Sequence, residues 1–356
     1  MATKKKTLAE VGEGGLLAQV HRLLGPPPPG TVGIGDDAAV VPSAGPALLT
    51  TDVMVEGTHF LRTWFRPEEV GHKALAANLS DAAAMSGRPT HAVVSLILPP
   101  RTPVQAVERM YRGMLRLARA HEVTLIGGNL ARGRTISVTI ALLGDFPHGD
   151  PILRTGSRPG HQLYVSGQPG LAGLGLRLLR TGSGRKRTDT LPDLWHSSTR
   201  GEPRWRAALA RGKPWARRAL KRFLTPEPRL EPSRALSFYR LSSLIDTSDG
   251  LGPDLLHLAE VGNRIVVDLD RLPLPPGFRE LAEGLGQSPE SAALWGGEDY
   301  ELLFSLPPEA AIRLGPRPVV GGTRLTEIGE ITSGTGVVLR GKRGERPLSG
   351  SGFRHF

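Results

Sequence analysis

Six aspartates stand at predicted strand ends, turns or helix faces, where a carboxylate is exposed and positioned by rigid scaffold. They are Asp36 and Asp37 in Gly33-Ile34-Gly35-Asp36-Asp37-Ala38-Ala39-Val40, Asp52 in Leu49-Thr50-Thr51-Asp52, Asp81 in Asn78-Leu79-Ser80-Asp81, and Asp246 and Asp249 in Ile245-Asp246-Thr247-Ser248-Asp249-Gly250. Apolar or small residues surround each group, without a neighbouring Lys or Arg. Such carboxylates would repel one another on converging unless hard cations neutralised them, so the ligand they imply is Mg²⁺ or a relative. Singly, each has an ordinary reading: Asp before Gly is a turn residue, Asp81 a polar helix-face residue, Asp52 a strand-end cap. Together they point to a metal cluster.

Glycines supply the complementary chemistry. Phosphates need N–H donors and close backbone approach, which Gly33-Ile34-Gly35 and Leu125-Ile126-Gly127-Gly128-Asn129 offer after apolar strands. A tight turn would explain either run equally well. Neither belongs to a Walker motif, and the chain has no H-R-D or D-F-G kinase set and no G-x-S-x-G elbow. With no cysteine in the chain, disulfides, thiolate metal sites and cysteine nucleophiles are excluded together.

The elements that must hold these residues alternate between strand and helix. Ala47 to Val55 is β-rich, Pro67 to Ser86 has helical spacing, Ala92 to Leu98 reads as a buried strand, and Val104 to Ala120 repeats the helical period through Val107, Met110, Tyr111, Met114 and Ala118. Strands at Val123 to Ile126 and Ile136 to Leu143 complete an α/β layer sandwich. Pro, Gly, Ser and Arg collect at Pro151 to Gly160, which sets the expected domain boundary. Beyond it, Gln162 to Val165, Ser243 to Ile245, Arg264 to Leu269 and Tyr300 to Ser305 read as strands and Leu251 to Val261 as a helix.

Net charge is +11 over 356 residues, a balance that suits nucleic acid, anionic membrane surfaces or phosphorylated metabolites. Much of the excess lies between Arg180 and Arg222, punctuated by Gly182, Gly184, Gly201 and Gly212, with Trp195, Trp205 and Trp215 interleaved. A solvated insertion is the plain reading. A nucleic-acid surface is the competing one, since single-strand binders combine aromatics with Arg. Apolar runs fall short of the roughly 18 residues that a membrane span needs. Glu10, Gly12 and Glu13 interrupt what would be the core of a signal peptide, so the expected location is the cytoplasm.

Taken in order, GIGDDAAV (33–40), TTDVMVEGTHF (50–60), KALAANLSDAAAMSG (73–87), LIGGNLARG (125–133), DTSDGL (246–251) and GGEDYELL (296–303) resemble the thiamine-monophosphate kinases in sequence and spacing. The resemblance runs nearly end to end, breaks over the basic stretch, and resumes at Leu224-Thr225-Pro226-Glu227-Pro228-Arg229. It implies an ATP-dependent enzyme of the aminoimidazole-ribotide-synthetase-like superfamily with a two-domain α/β fold. Residues 1–150 would form an N-terminal mixed sheet with helices that binds ATP and Mg²⁺ and makes a homodimer interface. Residues 151–356 would form a C-terminal α/β sandwich with a basic insertion at about 181–222.

Carried over position by position, Asp37, Thr50, Thr51, Asp52, Asp81, Asp246 and Asp249 match metal positions. Gly128, Arg154 and Ser248 match nucleotide contacts, and His59, Glu298 and Phe353 match contacts to thiamine monophosphate. Asn129 stands where the family usually has an Asp that helps hold a metal beside the nucleotide. It keeps a carbonyl oxygen for Mg²⁺ and removes one negative charge. No side chain is expected to act as a general base, because a phosphate monoester with a second pKa near 6 is already anionic at neutral pH. Among relatives of that superfamily, selenophosphate synthetase and the hydrogenase-maturation dehydratase usually depend on a reactive cysteine or selenocysteine. A purine-pathway synthetase is disfavoured by the Gly296 to Leu302 run, and nucleic acid and membrane are not expected partners.

Overall fold

The computed structural model describes residues 19–20, 22–26, 46–147, 149–182, 193–195, 203–259 and 262–349. The chain divides into two compact units. Unit 1 comprises Met1–Leu79, Arg88–Phe146 and Ser183–Glu202, and unit 2 comprises Ser80–Gly87, Pro147–Gly182 and Pro203–Phe356.

Unit 1 is built on four strands, β1 (Ala47–Val55), β2 (Arg88–Leu98), β3 (Thr124–Arg132) and β4 (Ser137–Asp145), in the order β1-β4-β2-β3. The β1–β4 and β4–β2 pairs are antiparallel, whereas β2–β3 is parallel. Alternation along the strands buries Ala92, Val94 and Leu96 of β2 with Val138, Ile140 and Leu142 of β4 on one face. The crossover between the parallel pair is helix α2 (Val104–Ala120), whose Val104, Val107, Met110, Tyr111, Met114 and Leu117 recur at the helical period and are buried. Tyr111 is thus a core residue.

Helix α1 (Pro67–Ala84) is rich in alanine and buried almost all round. Its first turn carries Glu68 and Glu69, where carboxylates complement the helix dipole. Glu69 accepts the Arg66 N–H at 2.8 Å, and Glu68 pairs with Arg109 of α2 at 2.9 Å.

The sequence reading ended the third strand at Ile126 and made Gly127-Gly128-Asn129 the turn beyond it; the structure continues β3 through that run. The reason is steric. A Cβ on Gly128 would lie 1.9 Å from the Val94 carbonyl oxygen, so glycine lets β3 stay against β2.

Unit 2 carries an eight-stranded mixed sheet. Its path is β12 (Gly344–Pro347), β11 (Gly336–Gly341), β7 (Arg264–Asp268), β10 (Thr323–Thr332), β5 (Gln162–Ser166), β8 (Leu302–Leu306) and β6 (Ser243–Asp246), with β9 (Val319–Val320) paired to β10. The helices of this unit are α3 (Leu171–Gly182), α4 (Arg204–Leu209), α5 (Pro214–Leu224), α6 (Leu230–Leu236), α7 (Leu251–Ala259), α8 (Pro276–Gly284), α9 (Pro289–Trp295) and α10 (Pro308–Leu314).

The basic stretch is not simply a solvated insertion where it is described. In unit 1, Trp195 is 2% exposed and stacks on Phe60, and Arg62 bonds Asp193 at 2.9 Å. In unit 2, α5 is amphipathic: Ala216, Ala219, Leu220, Phe223 and Leu224 are buried while Arg217, Arg218 and Lys221 face solvent. Close packing follows, since a Cβ on Gly175 of α3 would meet the Ala219 carbonyl oxygen at 2.2 Å.

Candidate active-site residues

Strand geometry sorts the acidic-hydroxyl run of β1. Side chains alternate, so half-buried Thr50 and Asp52 share the face of buried Leu48 and Met54, while exposed Thr51 lies on the other face with Leu49 and Val53. The Thr51 hydroxyl therefore does not join those of its neighbours. Burial pushes the Asp52 carboxyl above its ordinary value.

After β1 the chain folds back on itself, with the Thr58 and His59 N–H groups both donating to the Val55 carbonyl oxygen. The Val55 N–H donates to His59 Nδ1 at 3.0 Å. That fixes Nδ1 as an acceptor, and the neutral imidazole carries its proton on Nε2. Gly128 and Asn129 are exposed on β3, and Asn129 Oδ1 accepts the Leu130 N–H at 2.9 Å. Asp37 and Phe353 lie outside the described residues.

Unit 2 gathers the remaining acids. Strand β6 ends in Asp246, and the loop Thr247–Gly250 leads into α7. Ser80 belongs to this unit with Asp81, next to it in the last turns of α1, and its Oγ donates to Asp246 Oδ2 at 2.5 Å. One carboxylate oxygen each of Asp249 and Asp254 and a ring nitrogen of His257 lie within 4.8 Å of one another. Burial pushes the Asp254 carboxyl up to about 9, and the charges of Asp246 and Asp249 push the same way.

A second loop locks this one in place. The Glu298 N–H donates to the Ser248 carbonyl oxygen at 2.7 Å, the Tyr300 N–H to that of Thr247 at 2.9 Å, and the Thr247 N–H to that of Glu301 at 2.7 Å. Space is tight enough that a Cβ on Gly297 would meet the Ser248 carbonyl oxygen at 2.9 Å. Glu298 and Tyr300 hold φ of 65° and 53°, left-handed values that cost on the order of 1–3 kcal/mol each for residues with a side chain. Ser248 and Glu298, read from the sequence as contacts to different reactants, are therefore adjacent.

The residues on either side of Glu298 organise the scaffold. Asp299 accepts the N–H groups of Gly170 and Ala172, the latter at 2.7 Å, capping α3 from a distant part of the chain. Glu301 is fully buried and pairs with Arg229 at 2.6 Å and Arg222 at 3.2 Å. Arg154 is exposed in the segment before β5. Sequence reasoning missed Ser80, Asp254, His257, Asp299 and Glu301. For Asp254 and His257 a signal existed, an acid and a histidine three apart on the helix that follows Asp249-Gly250.

Residues 35–145 match the family described as "AIR synthase related protein, N-terminal domain". The four-stranded sheet β1–β4 and its helices thus fall in the class of AIR-synthase-related N-terminal domains. The chain is 34% identical to the thiamine-monophosphate kinase of Aquifex aeolicus across 98% of its own length and 99% of that protein's. The thiamine-monophosphate kinase of Escherichia coli K12 is also 34% identical, over 78% of this chain and 76% of that one. A solved structure described as "AaThiL complexed with AMPPCP and TMP" superposes with a TM-score of 0.72 at 32% identity, covering 100% of both chains. The chain belongs to the thiamine-monophosphate kinase family.

Proposed function

We propose that the chain transfers the γ-phosphoryl group of ATP to thiamine monophosphate, yielding thiamine pyrophosphate and ADP, the last step of thiamine pyrophosphate biosynthesis. What carries this reading is the full-length likeness to a structure described as holding AMPPCP, an ATP analogue, together with TMP. An anionic phosphate oxygen of thiamine monophosphate attacks the γ-phosphorus in line, and the bond to the β-phosphate oxygen breaks through a loose transition state. The nucleophile is already deprotonated, so positioning and charge compensation account for the catalysis.

The donors fit Mg²⁺, being carboxylates, hydroxyls and an amide oxygen, all hard oxygen ligands. Asp37, Thr50, Asp52, Asp81, Asn129, Asp246 and Asp249 are the residues proposed to hold it; Thr51, whose side chain leaves the other face of β1, would join them only through its backbone carbonyl oxygen. Buried Asp246 and half-buried Asp52 are carboxylates whose desolvation favours a bound cation. When bound, the ions would offset repulsion between two polyanionic reactants and fix their alignment.

Gly128, Asn129, Arg154 and Ser248 are proposed to bind ATP, with the Arg154 guanidinium suited to bidentate phosphate contact. Thiamine monophosphate is assigned to His59, Glu298 and Phe353. The His59 Nε2–H is suited to donate to a phosphate oxygen, and the Glu298 carboxylate is suited to the cationic or hydrogen-bonding face of the thiamine ring system. Residues 1–150 form the proposed ATP-binding and dimerising domain, the rest the second domain, acting in the cytoplasm. No described helix is long and apolar enough to cross a membrane.

A nucleic-acid role has little support from the aromatics of the basic stretch. Trp195 is buried, and Trp215 packs so closely that a Cβ on Gly277 would meet its ring at 1.8 Å. The decisive assay incubates purified protein with ATP, MgCl₂ and thiamine monophosphate and separates the products. Thiamine pyrophosphate should accumulate, and Asp81→Ala or Asp249→Ala should slow its formation by at least about 100-fold with an unchanged circular dichroism spectrum. Absence of the pyrophosphate product from the unmutated protein would refute the reading.

A further inference from the structure

We propose that Asp249, Asp254 and His257 form a divalent-cation site with a nitrogen donor, one that takes Mn²⁺ or a similar transition-metal ion in preference to Mg²⁺. Asp249 is shared with the Mg²⁺ set above; the other two residues belong to no part of that reading, and the site needs neither nucleotide nor turnover.

Three features converge on it. Asp254 and His257 lie three apart on α7, so both side chains leave one face of the helix, toward the loop that carries Asp249. Their ligand atoms, with one from Asp249, already sit within 4.8 Å of one another. Octahedral ligands about 2.1 Å from a metal are about 3.0 Å apart when adjacent and about 4.2 Å apart when opposite; at most one of the three pairs can be opposite, so the remaining pairs close by up to about 1.8 Å, a movement that side-chain rotation supplies.

The feature that separates this cluster from an ordinary acidic surface is Asp254 itself. Its residue is 2% exposed, and its Oδ2 is buried with no hydrogen-bond partner. The Gly250 and Asp249 N–H groups bond its carboxylate, which leaves Oδ2 as the oxygen without a donor. A buried carboxylate oxygen without a donor costs several kcal/mol unless a proton or a metal cation neutralises it, and a divalent ion with two further ligands beside it takes the proton's place.

The donor types then select the metal. Mg²⁺ favours all-oxygen sites and keeps several waters, whereas an imidazole nitrogen beside carboxylates suits Mn²⁺, Co²⁺ or Zn²⁺. Asp246, whose charge Asp254 also feels, makes the environment more anionic still.

The full chain, free of nucleotide, is titrated with Mn²⁺ and the bound ion read by electron spin echo spectroscopy. Echo modulation from a directly bound ¹⁴N is expected in the unmutated protein. It should vanish in His257→Gln, and Mn²⁺ affinity should fall about tenfold in that variant and in Asp254→Asn. Mn²⁺ bound without nitrogen modulation, or affinities unchanged in both variants, would overturn the site. Should Asp254→Asn not fold, the His257→Gln spectrum decides alone. Because the product assay above is run with Mg²⁺, loss of the nitrogen signal and loss of kinase activity are separate results.

Discussion

Glu301 lies three residues beyond the nearest proposed thiamine-phosphate contact, Glu298, and its carboxylate is buried where water cannot solvate it. Burial alone would raise its pKa, yet the guanidinium groups of Arg229 and Arg222 and the Ser166 hydroxyl, which donates at 2.5 Å, bring it down to about 2. Removing the charge leaves two cations without their partner, a loss of about 3–5 kcal/mol for buried pairs. The pH dependence has a definite sign. A folded carboxyl that titrates below its unfolded value stabilises fully above about 4.5, and that contribution fades as pH falls toward about 2. Asp299, which burial pushes up to about 7, titrates above this window. Urea midpoints of the unmutated chain and Glu301→Gln should therefore differ by a constant amount above pH 5 and converge as pH falls to about 2. A gap that persisted at low pH would show that Glu301 is not held ionised by its arginines.

Helices α1 and α2 approach through glycine rather than through side-chain ridges. A Cβ on Gly71 would meet the Met110 carbonyl oxygen at 2.0 Å, and one on Gly113 would meet that of Glu68 at 2.0 Å. Reciprocal glycines set the spacing, so Gly113→Ala must push the helices apart and strain the Arg109–Glu68 pair that bridges them. Overpacking of this kind costs about 1–3 kcal/mol, and a fall in melting temperature of several degrees is the expected readout; no change would mean the helices separate freely. Periodicity revealed α2 to the residue, because its apolar stripe is regular and its ends lie at Pro103 and His121. It could not reveal that Gly127-Gly128-Asn129 continues β3, since glycine in a sequence signals a turn unless a neighbouring strand is known to press against it. The acids of the Asp246–Gly250 loop were legible through their spacing. Their locking partners were not, because hydrogen bonds from Glu298 and Tyr300 to residues some fifty positions earlier leave no local pattern.

Burial in unit 1 is one-sided. The sheet face holding Val94 and Ile140 is covered, but on the opposite face Leu49 is 76% exposed, Val53 45% and Ile97 43%. Register places Leu49 opposite Leu143, and both Val53 and Ser95 opposite Thr139, so these apolar groups share a surface that runs across β1, β4 and β2. Among the described strands β1 stands at the edge of this sheet, where association with another chain is readily templated. Such a surface invites association, since exposed apolar patches on monomers are normally small. Composition gave no hint of it, because outward Leu and Val on a strand look like core until the second face is seen to be bare. A second copy of the chain is the proposed cover, and an association stable at micromolar concentration would bury about 800 Å² on each partner. Leu49→Asp with Val53→Asp places two charges at the centre of that interface while leaving the covered face untouched. Sedimentation equilibrium should then give a dimer for the unmutated protein and a monomer of unchanged circular dichroism for the double variant. A monomeric parent, or a variant that remains dimeric, would locate the self-association elsewhere or remove it.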